Sequence, residues 1–169
     1  MLQVCKQGRH KYFSLANEDV ASVLEALMGI TAGNGKIKSR TGPADAALRH
    51  SRVCYNHLAG DAGIRLYDSL VVQGYLFFQN DALTLTPSGS AFACDFGIDI
   101  EELKAARAVL CRECLDWSEL RSHLAGSLGR AFLTRFEKLR WVKRIDDSRI
   151  IKFSRKGADS FNSIFGVQA

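Results

Sequence analysis

The chain has 169 residues, 47% of them apolar and 24% charged, which suits one or two compact domains with a real core and excludes a long disordered polymer. No apolar run reaches the roughly 20 residues that cross a bilayer, and Met1 to Lys6 shows no secretory pattern, so the cytoplasm is the expected compartment and no membrane partner is expected. Twenty-three Lys and Arg against eighteen Asp and Glu leave a net charge of +5, which suits a polyanion partner, while five scattered cysteines in a chain of this size read as reduced thiols.

In chain order, Leu2–Lys6 and Arg9–Ser14 are β-prone stretches flanking Lys6-Gln7-Gly8-Arg9, which reads as a hairpin with a basic tip. Asn17 then caps a helix with Glu18 and Asp19 in its first turn, where the dipole favours acids. Val20, Val23, Leu24, Leu27 and Met28 follow helical spacing, and this stripe needs a surface to cover it, either on a partner chain or on residues preceding Met1. From Thr31 to Pro43 the sequence is Gly-rich and basic, without apolar periodicity, and reads as a linker. Pro43 suits the first turn of a helix expected over about residues 44–59.

The strongest internal signal is a repeat. His57-Leu58-Ala59-Gly60 recurs as His123-Leu124-Ala125-Gly126 at an offset of 66, and Gly63 matches Gly129. Leu66 and Leu70 correspond to Phe132 and Phe136, and Tyr75-Leu76 to Trp141-Val142. Polar turns follow, then Leu83-Thr84-Leu85 and Ile151-Lys152-Phe153 as return strands, with Thr86 and Ser154 capping the closing helices. Each copy reads helix, glycine turn, helix, strand, turn, strand, helix, the element order of a winged helix-turn-helix unit. The expected fold is therefore mainly α with short antiparallel β-hairpins, as tandem winged-helix-like repeats. The expected division is 1–30 (wing and dimerisation helix, the end of an N-terminal winged-helix domain), 31–43 (linker), 44–98 (first repeat) and 99–169 (second repeat). The alternative is a chance HLAG match within an unrelated helical bundle.

Gln7-Gly8-Arg9-His10-Lys11-Tyr12-Phe13-Ser14-Leu15 and the helix after it resemble the end of the DNA-binding domain in the arsenic-repressor (ArsR) superfamily of winged-helix regulators. The stretches Arg52 to Gly60 and Cys114 to Gly126 resemble a subgroup with an extra C-terminal region. The resemblance implies a homodimeric, repressor-type transcriptional regulator, of which this chain looks like the C-terminal portion without the recognition helix. It implies DNA as partner through the full-length protein, with Lys6, Arg9, His10 and Lys11 of the wing at phosphates. Lys36, Lys38 and Arg40, and Arg144, Arg149 and Lys152, are further basic candidates, equally readable as solvated surface.

His50, Cys54 and His57 fall at i, i+4 and i+7, one face of the expected helix. The second copy offers Cys111, Cys114, Asp116 and His123. If the copies pack about a pseudo-twofold, Cys54, His57, Cys114 and His123 approach one another, a donor set suited to a soft divalent metal: zinc, cadmium or lead. The alternative is that these cysteines are small buried hydrophobes and the histidines pair with carbonyls. Cys111 and Cys114 are also redox candidates. Trp117, Trp141, Tyr55 and Tyr75 line a pocket or fill core, and Asp116 and Glu119 read as carboxylates at a helix N-terminus. Nothing between Gly29 and Gly35 has a nucleotide-loop pattern. No residue is nominated as catalytic and the chain is not expected to be an enzyme. The rival readings are a thiol-based metal-binding or redox-sensing protein and a plain protein-interaction module.

Overall fold

The computed structural model describes residues 2–7, 10–17, 20, 23–24, 27, 43, 45–80, 82–116 and 118–166. They fall into two compact units, Met1–Arg40 and Thr41–Ala169.

In the first unit, β1 (Leu2–Gln7) and β2 (His10–Leu15) form an antiparallel hairpin whose register runs from Leu2 opposite Leu15 to Gln7 opposite His10. Asn17 Oδ1 accepts from the Val20 N–H at 3.0 Å, the capping bond expected of it. Val20, Val23, Leu24 and Leu27 are helical, and the last three are exposed.

The second unit is built twice over. The first copy is α1 (Ala46–His50), the hairpin β3 (Arg52–Cys54) and β4 (His57–Ala59), α2 (Asp61–Val72), the hairpin β5 (Leu76–Gln79) and β6 (Ala82–Leu85), and α3 (Pro87–Asp95). The second copy is α4 (Ile100–Ala105), β7 (Arg112–Asp116) with β8 (Arg121–Ala125), α5 (Gly126–Lys138), β9 (Val142–Arg144) with β10 (Ile151–Phe153), and α6 (Arg155–Phe165). Local bonds repeat with it. The Tyr75 N–H donates to Leu70 O at 2.8 Å and Trp141 to Phe136 O at 3.0 Å. Thr86 Oγ1 accepts from Gly89 and Ser154 Oγ from Gly157, capping α3 and α6 alike.

The expectation of a mainly α fold is overturned. Five two-stranded antiparallel sheets stand beside six helices among the described residues, so the class is mixed α/β. The error lies where a helix was expected over 44–59. Asp45 caps a helix of only five residues, and Ser51 leaves it in extended conformation. Residues 52–59 then fold back through Tyr55, whose φ of 53° lies in the left-handed region, into a hairpin. The second copy does the same over 112–125, so the hairpin replaces the expected first helix of each unit.

The copies share one core. α2 packs on β8 of the other copy and α5 on β4, while Phe96 meets Phe132, Phe136, Trp141 and Phe165 at ring-centroid distances of 5.6 to 5.9 Å. Leu58, Leu66, Leu70, Leu124, Leu128 and Phe132 are fully buried between them. No helix among the described residues is long and apolar enough to cross a membrane.

Candidate metal centre

The hairpins β3–β4 and β7–β8 meet through matching residues. In the first, Arg52, Val53 and Cys54 face Ala59, Leu58 and His57; in the second, Arg112, Glu113 and Cys114 face Ala125, Leu124 and His123. Each hairpin thus presents one thiol beside one imidazole as a cross-strand pair. The packing of α2 on β8 and of α5 on β4 brings the pairs together: a Cβ on Gly63 would lie 3.6 Å from the His123 Cβ, and one on Gly129 3.4 Å from the His57 Cβ.

Cys54 Sγ lies 3.9 Å from Cys114 Sγ, and His57 Nε2 lies 3.1 Å from His123 Nε2. All four donor atoms fall within 4.8 Å of one another. Tetrahedral zinc, with bonds of about 2.3 Å to sulfur and 2.0–2.1 Å to nitrogen, spans about 3.8 Å between two sulfurs and about 3.4 Å between two nitrogens. The observed sulfur–sulfur and nitrogen–nitrogen separations lie close to those edges. His57, Cys114 and His123 are buried and Cys54 is half-buried, so an ion there would be shielded from water.

The surroundings set the chemistry of these donors. Asn56 Oδ1 lies 3.3 Å from His57 Nδ1, an arrangement that suits the tautomer with Nδ1–H donating to the oxygen and the Nε2 lone pair facing the other donors. His123 Nδ1 is buried with no hydrogen-bond partner, while its Nε2 faces His57 Nε2, a contact that an ion bound between the two rings would replace. The Cys54 thiol is held well below the ordinary cysteine range, first by its hydrogen bond with Cys114 and then by His123 and His57, against burial. Thiolate is the form that binds metal.

Two residues outward from the cysteines, Arg52 and Asp116 join the hairpins. The Arg52 guanidinium reaches Asp116 Oδ1 at 2.6 Å with both side chains buried, and also donates to Leu48 O. Asp116 Oδ2 accepts from the Gly60 N–H at 2.8 Å, and Oδ1 from Ser118 Oγ at 2.7 Å. Burial pushes the Asp116 carboxyl up, but the Ser118 and Gly60 hydrogen bonds and the Arg52 charge outweigh it and bring it down to about 2.

Of the other residues singled out, His50 does not share a face with Cys54 and His57. It is exposed on α1, 3.7 Å from Asp61 and against the Phe153 ring. Cys111 stands outside the cluster, its thiol pushed up to about 12 by burial, and Cys94 is exposed. Asp116 and Glu119 belong to the hairpin β7–β8 and its tip, not to a helix start. Trp141 stacks on Phe136 and Tyr75 on Phe92 in the core, and Tyr55 is exposed at a turn; these three do not line a common pocket. Lys6, His10 and Lys11 lie on β1 and β2, with Lys6 opposite Lys11, whereas Arg9, Trp117, Lys36, Lys38 and Arg40 lie outside the described residues.

Sequence reasoning missed Arg52 and Asn56. A signal existed for the first: Arg-x-Cys occurs at 52–54 and 112–114, an offset of 60 against 66 for HLAG. Two offsets within one repeat mean two segments joined by turns of different length, a hairpin and not a helix.

Compared with known proteins, the chain is 37% identical over 169 residues to the uncharacterized HTH-type transcriptional regulator YdfF of Bacillus subtilis (strain 168), the match covering 99% of this chain and 74% of that protein. No family model matches the chain. No solved structure matches it. Sharing more than a third of its residues with that regulator along almost its entire length, the chain belongs to the HTH-type transcriptional regulators.

Proposed function

We propose that this regulator is a cytoplasmic repressor of the arsenic-repressor type, and that Cys54, His57, Cys114 and His123 hold the soft divalent metal (zinc, cadmium or lead) to which it responds. The observation that carries this is the gathering of four borderline-to-soft donor atoms within 4.8 Å, two from each copy of the repeat. Residues 1–30 serve as wing and dimerisation helix of a homodimer, a reading supported by the sequence resemblance and by the exposed Val23, Leu24 and Leu27. On this reading Lys6, Arg9, His10 and Lys11 meet DNA phosphates. Metal binding then favours one dimer geometry over another and so changes operator affinity, a coupling that exists only if the two geometries differ in metal affinity.

The test is a titration of the metal-free chain with zinc, cadmium and lead, followed by thermal melting. One ion per chain is expected. At about a hundredfold excess over Kd, binding adds about 2.7 kcal/mol, or roughly 5–10 °C for a protein of this size. Cys54→Ala abolishes that rise. An unchanged melting temperature with all three metals, or the same rise in the variant, refutes the reading.

A second reading is favoured by the 3.9 Å between the Cys54 and Cys114 sulfurs. Hydrogen peroxide would take two electrons and two protons from this pair, leaving a disulfide and two waters. A mass loss of two hydrogens that protects both cysteines from alkylation supports it. Two freely alkylated thiols after peroxide treatment exclude it.

A further inference from the structure

The positive charge of this chain is concentrated in one place. Residues 137–156, which run from the end of α5 through the hairpin β9–β10 into α6, hold eight Lys and Arg against three Asp and Glu. The rest of the chain holds fifteen of each, so the whole net charge of +5 is accounted for by these twenty residues. All eight cations are exposed. Only Arg144 has an ion-pair partner among the described residues, Glu137 at 2.7 Å.

The repeat supplies an internal control. Between Arg65 and Lys104 the first copy has no lysine or arginine, yet it folds the equivalent hairpin β5–β6 and helix α3. The architecture therefore does not require the cations. Their placement works against local stability. Lys143 sits directly opposite Lys152 in the β9–β10 register, where like charges repel. Arg155 and Lys156 occupy the first turn of α6, which has no acid, although the helix dipole disfavours cations there. Ser154 Oγ donates to Arg140 O at 3.1 Å, drawing the end of α5 to the same helix start. A surface that bears such repulsion, with eight cations against three acids, is suited to an external polyanion.

We propose that the β9–β10 hairpin with the first turn of α6 is a second DNA contact of this regulator, one that grips the phosphate backbone of duplex DNA without reading sequence. Duplex DNA presents a phosphate charge about every 1.7 Å of axis, a density that matches clustered cations, and a strand hairpin with a basic edge can follow it. An anionic membrane fits less well, because no large hydrophobic side chain is exposed between residues 137 and 156 to enter a bilayer. The inference builds on the DNA partner of the regulator family but not on the metal reading. The hairpin is nonetheless joined to the Cys54 strand: the Val53 N–H donates to Arg149 O at 2.8 Å and the Ile151 N–H to Ser51 O at 3.0 Å.

The experiment measures fluorescence anisotropy of a labelled duplex of arbitrary sequence with the full 169-residue chain, from about 50 to 200 mM salt. Wild type is compared with the triple variant K143A/K152A/R155A, the charge-keeping triple K143R/K152R/R155K, and K6A/K11A on the first hairpin. The alanine triple is expected to lose roughly tenfold or more in affinity, with its salt slope shallower by about 0.9 for each contact removed. The charge-keeping triple is expected to bind like wild type, and matching melting curves confirm that all variants fold. The proposal is overturned if the alanine triple binds like wild type, if the loss is confined to K6A/K11A, or if the wild-type chain binds phosphatidylserine vesicles and no duplex.

Discussion

Five donors converge on the Asp116 carboxylate: the Arg52 guanidinium, the Gly60, Ser118 and Glu119 N–H groups, and the Ser118 hydroxyl. Removing one partner of a buried pair leaves an uncompensated charge, which costs more than the pair contributes. Asp116→Asn is therefore expected to destabilise the chain by about 3–5 kcal/mol at neutral pH in urea denaturation. The folded carboxyl titrates at about 2, below its ordinary 3.8, so its contribution is complete above about pH 4 and is lost as pH falls toward 2. That contribution is about 2 kcal/mol, and the acid limb of the stability curve flattens in the variant. An Asp116→Asn protein as stable as wild type at pH 7 would show the pair to be dispensable. The four metal-donor candidates were legible from residue type and repeat alone, but the Arg52–Asp116 pair was not. An aspartate three residues before a glutamate reads as a helix cap, and only the fold reveals a buried guanidinium across from it.

At the level of elements, the first hairpin of each copy was the part hidden from pattern reading. Its strands in copy one are three residues long, too short for period-two alternation to stand out against a helical stripe. Their stability comes from tertiary pairing, including the bridge between Arg52 and Ile150. The second hairpins and the closing helices were legible because turn residues and caps announce them: Thr86 with Pro87, and Ser154. The close seating of α2 on the first hairpin makes its own demand. A Cβ on Gly63 would stand 2.5 Å from Leu58 O, a backbone atom that cannot move aside without shifting β4. Gly63→Ala is expected to lower stability by about 1–3 kcal/mol and to weaken metal binding by misplacing His57, read as a lower melting temperature and a raised dissociation constant. Gly74, whose Cβ would meet nothing within 4 Å, has a φ of +68° and offers a contrast: its alanine variant strains the backbone but leaves metal affinity unchanged.

Across the whole molecule, the duplicated unit behaves as one body because neither copy encloses a core alone. Leu128 of the second copy is fully buried with Leu58, Leu66 and Leu70 of the first. Leu128→Ala is expected to cost about 2–5 kcal/mol. Native-state hydrogen exchange should report the same loss for slow amides in both copies, and a loss confined to residues beyond 99 would mean that the copies unfold separately. The repeat itself is visible in the sequence as the HLAG pair at an offset of 66. It could not foretell the class of the fold, because the helical and strand readings of 52–59 differ only in what those residues meet elsewhere in the chain.

The twofold sharing of the Cys and His side chains sets how a metal of the proposed kind would be captured. One copy alone owns half a coordination shell and would have to find a twin in solution, so its grip would fade on dilution. Tethering both halves in a single polypeptide makes the encounter intramolecular, at an effective concentration set by the fold and not by the cell. If the proposed metal binds there, occupancy of that shell follows the metal level and not the concentration of the regulator itself.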